Sequence, residues 1–245
     1  MKILLAPSET KRVGGDRPFR PATLLFSELL PLRRLALDAH AEVLRTFDTD
    51  ALAAFLGLKG HSDIDRYRRD VADAPAMKAI RRYTGVAFDH LDYDGLDAQA
   101  QAYIDRNLIL FSNLFGVLRA DDAIPDYRLQ QGKSIGAIQP DRHYRPHLQR
   151  LLDAHLNGEE ILDIRAGYYD RYYRPTHPYT TLRFLKNGKV ISHWAKAYRG
   201  RVLRVMAQAN TPTLDAFIAL PIEGLHIEEI RTQKNRTEII YSIMD

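Results

Sequence analysis

The stretch 165–204 holds most of the residues whose chemistry points to a ligand. It contains ten Lys and Arg residues and a single acid, Asp170. The basic residues are Arg165, Arg171, Arg174, Arg183, Lys186, Lys189, Lys196, Arg199, Arg201 and Arg204. Eight aromatic residues lie among them: Tyr168, Tyr169, Tyr172, Tyr173, Tyr179, Phe184, Trp194 and Tyr198. Concentrated positive charge with rings that can stack favours a polyanion, in particular a nucleic acid.

Two other interpretations of this basic stretch stay open. Its cations could cover the solvent faces of strands and helices or pair with acids elsewhere, since the whole chain has a net charge of only +4. They could also form a site for a nucleotide or a phosphorylated metabolite, because a phosphate group is held by the same side chains.

A second candidate for phosphate binding is the segment of about 49–69. The spacing of apolar residues predicts helices over 49–56 and about 62–69, joined by Gly57-Leu58-Lys59-Gly60. This is the outline of a helix-hairpin-helix, in which turn amides and Lys59 would hold a backbone phosphate without reading bases. The two glycines lie three positions apart rather than the usual two, so an ordinary αα-hairpin also fits.

Several kinds of catalytic and metal site are excluded. The chain has no cysteine, which rules out disulfides, thiolate metal ligands and a cysteine nucleophile. His143 and His147 are four residues apart, but Pro146 lies between them and Arg145 would repel a cation. We therefore predict no metal site and no cofactor.

A loop near the start of the chain carries Ser8 and Lys11. It lacks the glycine frame of a P-loop. A serine beside a lysine can form a catalytic pair, but no acid or base partner can be selected from 31 Asp and Glu residues. Catalytic residues therefore stay unassigned at this point.

The elements that must position these residues alternate between strands and helices. Apolar patterns predict buried strands at 2–6 and 161–164, and helices at 32–43 and 142–156. We expect a long helix over 97–118, although its apolar run 108–111 could equally form a central strand. Strands are also predicted at 226–231 and 237–243.

The basic stretch itself predicts a hairpin followed by a helix. Asn187-Gly188 lies between the β-rich runs 181–185 and 190–194, which is the strongest short signal for a hairpin. A helix is expected over 195–209. Its apolar residues fall on one face and Lys196, Arg201 and Arg204 on the other, with Arg199 at the boundary.

These patterns predict a single α+β or mixed α/β domain over 1–245, with a central mixed sheet, surrounding helices and the αα-hairpin. The length of 245 residues suits one large domain. The apolar start ends at Pro7 and is too short for a secretion signal, and no stretch is long enough for a membrane helix. We expect a cytoplasmic protein with no membrane partner.

Four sequence blocks resemble the YaaA family of peroxide-stress proteins. The most specific is Ser112-Asn113-Leu114-Phe115-Gly116-Val117-Leu118-Arg119 with its continuation to Leu129. The opening strand with its Ser8–Lys11 loop, the block Tyr83-Thr84-Gly85, and the block 193–200 are similar to the family in order and spacing. The chain departs from the family pattern at Asn113, Ala120 and Gln130-Gln131, and around 163–169.

The resemblance implies a cytoplasmic bacterial protein that limits peroxide damage by lowering available iron. It also implies a compact mixed α/β fold with a helix-hairpin-helix, a basic cleft and binding to DNA. Both candidate phosphate sites found in the residues agree with that expectation.

Our leading hypothesis is therefore a stress-response protein that binds duplex DNA with little sequence preference. Lys59, Lys196, Arg199 and Arg204 would hold the phosphates. The alternative is an enzyme acting on a nucleotide or another phosphorylated molecule, with a pocket formed by Ser8, Lys11, Arg119, Tyr127 and Arg128 together with Lys196 and Arg199.

A third interpretation makes Arg119 and Arg128 ion-pair partners of Asp121 or Asp122 and places Tyr127 in the core. A deep pocket would favour the enzyme, and an open groove would favour DNA.

Overall fold

A computed structural model describes residues 1–191 and 194–244. Within these residues, eight strands form one mixed sheet and two short strands pair separately. The strands are β1 (Lys2–Leu5), β2 (Ala76–Lys78), β3 (Leu108–Ser112), β4 (Gly116–Arg119), β5 (Ala123–Pro125), β6 (Ile161–Asp163), β7 (Tyr179–Lys186), β8 (Lys189–Val190), β9 (Leu225–Gln233) and β10 (Arg236–Ile243). The mixed α/β class predicted from the sequence is confirmed.

The main sheet has the order β4-β3-β1-β6-β7-β10-β9, with β8 paired to β7. β1 is parallel to both of its neighbours, β3 and β6, and β7 is parallel to β6 and β10. The outer strands β4 and β9 run antiparallel. A strand paired on both sides and covered on both faces must be apolar throughout, and Ile3 and Leu4 are fully buried.

The helices of the described residues surround the sheet. They are α1 (Leu30–Thr46), α2 (Thr49–Leu56), α3 (Ile64–Tyr67), α4 (Ala79–Arg82), α5 (Val86–Leu91), α6 (Ala98–Asn107), α7 (Pro140–His155), α8 (Ala195–Gln208) and α9 (Leu214–Ile218). Prolines at the starts of α1 and α7 occupy the first turn, where a missing N–H costs no hydrogen bond. Among the described residues, no helix combines the length and apolar character that a membrane crossing requires.

The predicted helix over 97–118 is wrong beyond Asn107. The chain leaves α6 there and enters β3, so the alternative of a central strand at 108–111 is confirmed. Every residue of β3 is buried, and its backbone pairs with β1 on one side and β4 on the other. Burial on both faces explains why the run has no helical period.

The segment 49–69 matches the prediction only in part. α2 has the predicted bounds and ends at Gly57, which adopts the left-handed conformation at φ 64°. α3 is a single turn rather than a helix through Arg69. The helix-hairpin-helix therefore stays a prediction.

The predicted hairpin forms around Asn187-Gly188, both of which have positive φ. Its first strand is the longer β7, and its second strand is the two-residue β8. Ser192 and His193, which the prediction placed in the second strand, lie outside the described residues. The helix expected over 195–209 is confirmed as α8, as are the two C-terminal strands.

Candidate functional site

A crevice opens at the carboxyl end of β1. The chain passes from β1 to β3 on one side and later returns to β6 on the other, so the segments leaving these strands diverge above the sheet. Ligands of open α/β sheets bind at such switch points. The space here has a volume of about 350 Å³, and we call it the cleft. Its lining includes Ser8, Glu9, Thr10, Gly85, Phe88, Asn113, Gln131, Ile164, Tyr169, Lys196 and Arg199.

The loop after β1 supplies hydroxyl groups to the cleft. Ser8 Oγ and Thr10 Oγ1 lie 3.2 Å apart, and Thr10 Oγ1 donates to the carbonyl of Thr84 at 3.2 Å. Gly85 follows Thr84 with φ +100°, and a Cβ there would lie 3.2 and 3.3 Å from the two hydroxyl oxygens. A side chain at Gly85 would therefore be strained by the positive φ and would press against the hydroxyl loop.

Helix α8 supplies the cations. Lys196 and Arg199 lie one turn apart and both line the cleft. Lys196 is exposed, whereas Nε of Arg199 is buried and has no hydrogen-bond partner among the described residues. Burial lowers the pKa of Arg199, and the nearby carboxylate of Asp163 opposes that shift. An unpaired donor on a largely buried cation is a position where an anion would bind.

Glu9 is the acidic group of the lining. Its Oε1 accepts from the backbone N–H of Gln131 at 3.4 Å. The cleft therefore places cations, hydroxyls and one carboxylate around a single space, together with apolar residues such as Phe88 and Ile164.

Lys11 lies behind the hydroxyl loop. Its Nζ donates to the carbonyls of Ser8 and Glu9, at 3.2 Å each. The ammonium also lies 4.0 Å from the centre of the Tyr127 ring. Burial lowers the pKa of Lys11 to about 7, although the carboxylate of Asp126 acts in the opposite direction. Lys11 thus holds the cleft loop in place from the core side.

Tyr127 belongs to a buried chain of hydroxyls. Its OH lies 2.9 Å from the OH of Tyr83 and 2.9 Å from Oγ of Ser112. Burial raises the pKa of Tyr127 far above its ordinary value. Tyr127 is 3% exposed, as the interpretation of a core residue expected, and it supports the cleft through Lys11.

Arg119 lies at the opposite end of the strands from the cleft. It pairs in register with Ile109 at the start of β3, while the cleft lies beyond Ser112 at the end of that strand. Its Nη2 donates to Oδ1 of Asp122 at 2.7 Å and to the carbonyl of Thr23 at 2.6 Å. For Arg119, the ion-pair interpretation describes the structure.

Arg128 caps the carboxyl end of helix α2. Its Nε donates to the carbonyl of Leu56 at 2.6 Å, and its Nη2 donates to that of Gly57 at 3.4 Å. These are carbonyls that the last turn of α2 leaves without an intrahelical donor. Arg128 therefore holds backbone oxygens rather than Asp121 or Asp122.

The structure places the four predicted phosphate ligands on two elements, Lys59 on the turn after α2 and the other three on α8. Lys196 and Arg199 share the cleft. Arg204 donates to the carbonyls of Leu91 and Asp92 at 2.9 Å each and so ends α5. Lys59 is exposed on the turn after α2.

The sequence did not single out Thr10 or Asn113 as site residues. Asn113 is buried and its Oδ1 accepts from the hydroxyls of Tyr169 and Tyr172, at 3.1 and 3.3 Å. Its Nδ2 donates to the carbonyl of Leu129. Both residues follow the carboxyl ends of parallel strands, and once β3 is assigned as a strand that position predicts them. Among the described residues, no three His, Asp or Glu side chains are grouped to hold a metal ion.

Comparison with known proteins gives the family. The model of the peroxide stress protein YaaA matches residues 1–231. This chain belongs to the YaaA family. An uncharacterised protein of Campylobacter jejuni is 39% identical over 246 residues, covering 100% of both chains. A UPF0246 protein of Streptomyces coelicolor is 32% identical and covers 86% of this chain and 84% of its own. One from Corynebacterium glutamicum is 30% identical, with 98% and 100% covered.

The YaaA match includes every residue of the cleft described above. The block that carries the resemblance supplies Asn113 to the lining and Ser112 and Tyr127 to the support behind it. The opening block supplies Ser8 and Lys11. In this YaaA-family chain, separate sequence blocks therefore meet at one place in the fold.

Proposed function

We propose that this YaaA-family protein serves in the defence against peroxide by binding a nucleotide or another small phosphorylated molecule in the cleft. One observation carries the proposal. Lys196 and Arg199 line the same concave space as the hydroxyl residues Ser8 and Thr10, and its volume of about 350 Å³ is in the size range of small-molecule sites.

The roles of the cleft residues follow from their chemistry. The guanidinium of Arg199 donates several N–H groups in a fixed plane and suits a phosphate better than a point charge does. Lys196 adds an exposed ammonium to the lining. Ser8 and Thr10 would donate hydroxyl hydrogens to phosphate or sugar oxygens. If the ligand is also transformed, Glu9 is the carboxylate of the lining that would accept a proton.

Calorimetric titration with ATP and AMP tests this proposal. Changing Lys196 to Ala should weaken nucleotide binding about tenfold, because a charge-assisted contact is lost. Ser8→Ala should weaken it less. Arg142→Ala is the control, since Arg142 is an exposed residue of α7. Equal affinities of the wild type and the Lys196 variant would reject the cleft as the site.

Binding of duplex DNA is a second candidate function, supported by the turn after α2. Lys59 is exposed there, and a Cβ added at Gly60 would meet no atom within 4 Å. The backbone of this turn is thus open to the close approach of a phosphate. Lys196 at the cleft mouth would add a second contact. Lys59→Ala should then weaken binding to all duplex sequences alike and reduce its salt dependence.

Limitation of intracellular iron is proposed as the route to peroxide protection, on the family resemblance. In cells that lack the gene, chelatable iron should rise after peroxide exposure. The wild-type gene should restore the lower level, while a Lys196→Ala gene should fail to do so. Full rescue by the Lys196 variant would show that the control of iron does not depend on binding at the cleft.

A further inference from the structure

A second cavity shares the residue Arg199 with the cleft. Strand β6 ends at Asp163, whereas its neighbour β7 continues to Lys186. The part of β7 just past β6 therefore has an edge that β6 does not cover, and the cavity lies beside that edge. Its volume is about 370 Å³. The charged lining comprises Asp163, Arg165, Asp170, Arg183, Arg199, Arg236 and Glu238, and we call it the arginine pocket.

Three arginines converge on one carboxylate at this pocket. Oε1 of Glu238 accepts from Nη2 of Arg183 at 3.0 Å and from Nη2 of Arg236 at 2.5 Å. Oε2 accepts from Nε of Arg231 at 3.2 Å. Glu238 is only 7% exposed. Burial alone would raise the pKa of Glu238, but the arginines, Arg183 foremost, hold it below its ordinary value.

The strands fix these arginines in place. Arg231 of β9 lies directly across from Glu238 of β10, and Arg183 pairs in register with Ile240, two residues along the same strand. Side chains two residues apart on a strand share a face. The backbone register therefore places the three arginines side by side around Glu238.

The arrangement leaves positive charge without a partner. One carboxylate can balance one of the three arginines around Glu238, and Asp170 adds one further negative charge to the lining. Arg165 is already satisfied, because its Nε and Nη2 donate to both carboxylate oxygens of Asp163 at 2.8 and 2.6 Å. Arg199, also in the lining, contributes a buried Nε with no hydrogen-bond partner among the described residues. Like charges held this close destabilise the fold, and an added anion would relieve them.

We propose that the arginine pocket binds a phosphate monoester whose organic part is apolar or aromatic. The lining holds four arginines against three carboxylates, and Arg231, which contacts Glu238 from outside the lining, adds a fifth positive charge. A dianionic phosphate matches the resulting excess of two charges and accepts paired hydrogen bonds from arginine. The cavity is much larger than a phosphate alone requires, and Leu182, Phe184 and Ile191 give it an apolar wall. A nucleoside monophosphate has both parts.

This site is distinct from the one in the proposed function. Of the residues that line the arginine pocket, only Arg199 also lines the cleft. Arg183 and Arg236 belong to the arginine pocket, and Lys196 belongs to the cleft. A ligand could therefore occupy either site without the other, and each site has its own test variant.

The experiment counts binding sites for AMP by calorimetric titration, with inorganic phosphate as a second probe. The double change Arg183→Ala and Arg236→Ala should remove one site per chain, or weaken it about tenfold or more. Lys196→Ala should leave that site intact and weaken only binding at the cleft. AMP should bind the arginine pocket more tightly than inorganic phosphate does. An unchanged number of sites in the double variant would overturn the proposal, whatever the cleft binds.

A second variant covers the case in which the arginine changes disturb the sheet. Glu238→Gln keeps the size of the side chain and removes the carboxylate that competes with a ligand for three arginines. It should bind AMP several-fold more tightly than the wild type, and AMP should raise its melting temperature more. Weaker binding by this variant, with the fold retained in circular dichroism, would contradict an anion site. Arg142→Ala again serves as the control and should match the wild type.

Discussion

The ammonium of Lys11 lies 4.0 Å from the centre of the Tyr127 ring and 5.2 Å from that of Tyr83. It thereby joins the loop after β1 to residues that come more than 70 positions later in the chain. Its hydrogen bonds to the carbonyls of Ser8 and Glu9 fix the loop that carries the cleft hydroxyls. The rigidity of the cleft on this side therefore depends on a buried lysine.

Replacing Lys11 with Met should change how stability depends on pH. Burial lowers the pKa of Lys11 to about 7 in the folded chain, against 10.5 for an ordinary lysine. Between these two pH values the unfolded chain holds a proton that the folded chain releases. Lys11 therefore makes the wild type more stable as pH rises through this range, by up to about 1.4 kcal/mol per pH unit.

Denaturant unfolding at pH 7.5, 8.5 and 9.5 measures this effect. The Lys11→Met variant should show a smaller rise in the free energy of unfolding than the wild type. Parallel curves for the two proteins would show that Lys11 keeps an ordinary pKa in the fold.

Removing different hydroxyl groups from the buried chain behind the cleft should lower the free energy of unfolding by different amounts. Tyr127→Phe leaves both Tyr83 OH and Ser112 Oγ without their shared partner, and it should cost about 1–3 kcal/mol of unfolding free energy. Tyr83→Phe leaves Tyr127 hydrogen-bonded to Ser112 and should cost less. Thermal or urea unfolding of the two variants provides the comparison, and an equal loss would contradict the chain of contacts.

Gly200 should reject a change that usually stabilises helices. Gly→Ala inside a helix normally gains up to about 1 kcal/mol. Here α8 packs so closely on α5 that an added Cβ would overlap the carbonyl oxygen of Ala87. Gly200→Ala should therefore cost about 1–3 kcal/mol and shift the helix that carries Lys196.

Unfolding by urea would show the sign of this effect. The matched control is Gly167→Ala, since a Cβ at that glycine meets no atom within 4 Å. It should change stability little. A stabilised Gly200 variant would mean that α5 and α8 pack less closely than the structure shows.

Arg204 should matter for stability. Its guanidinium donates to the carbonyls of Leu91 and Asp92 and to Oδ2 of Asp92. Arg204→Met should lower the free energy of unfolding by about 1–3 kcal/mol through loss of charge-assisted bonds, with Arg142→Met unchanged. Nucleotide affinity of the folded variant should equal that of the wild type. A variant with normal stability and weaker binding of DNA would instead show that Arg204 binds phosphate, as predicted from the sequence.

Much of the fold could be predicted from local patterns. The strands at both ends of the chain and helix α8 follow from apolar periodicity, and Asn187-Gly188 marks its turn by the φ values it must adopt. The run at 108–111 could not be settled locally. Burial on both faces removes the alternation that identifies a strand, and only its pairing with β1 and β4 decides it.

The candidate site was predictable in its residue types more than in its arrangement. Lys196 and Arg199 are one turn apart on a helix, so their common direction follows from the helical period. Arg119 and Arg128 have the same chemistry, but distant backbone carbonyls and Asp122 engage them. Which arginine is free to meet a ligand depends on contacts between segments far apart in the chain, and no local pattern contains that information.

The central place of β1 has a consequence for synthesis on the ribosome. Its two neighbours in the sheet are residues 108–110 and 161–163. At a translation rate of about 5–20 residues per second, the first partner strand emerges roughly 5–20 seconds after β1, and the second later still. Throughout that interval both edges of an apolar strand are unpaired, and unpaired edges recruit other chains. The apolar segment of β1 therefore stays without its native partners while about a hundred further residues are added to the chain.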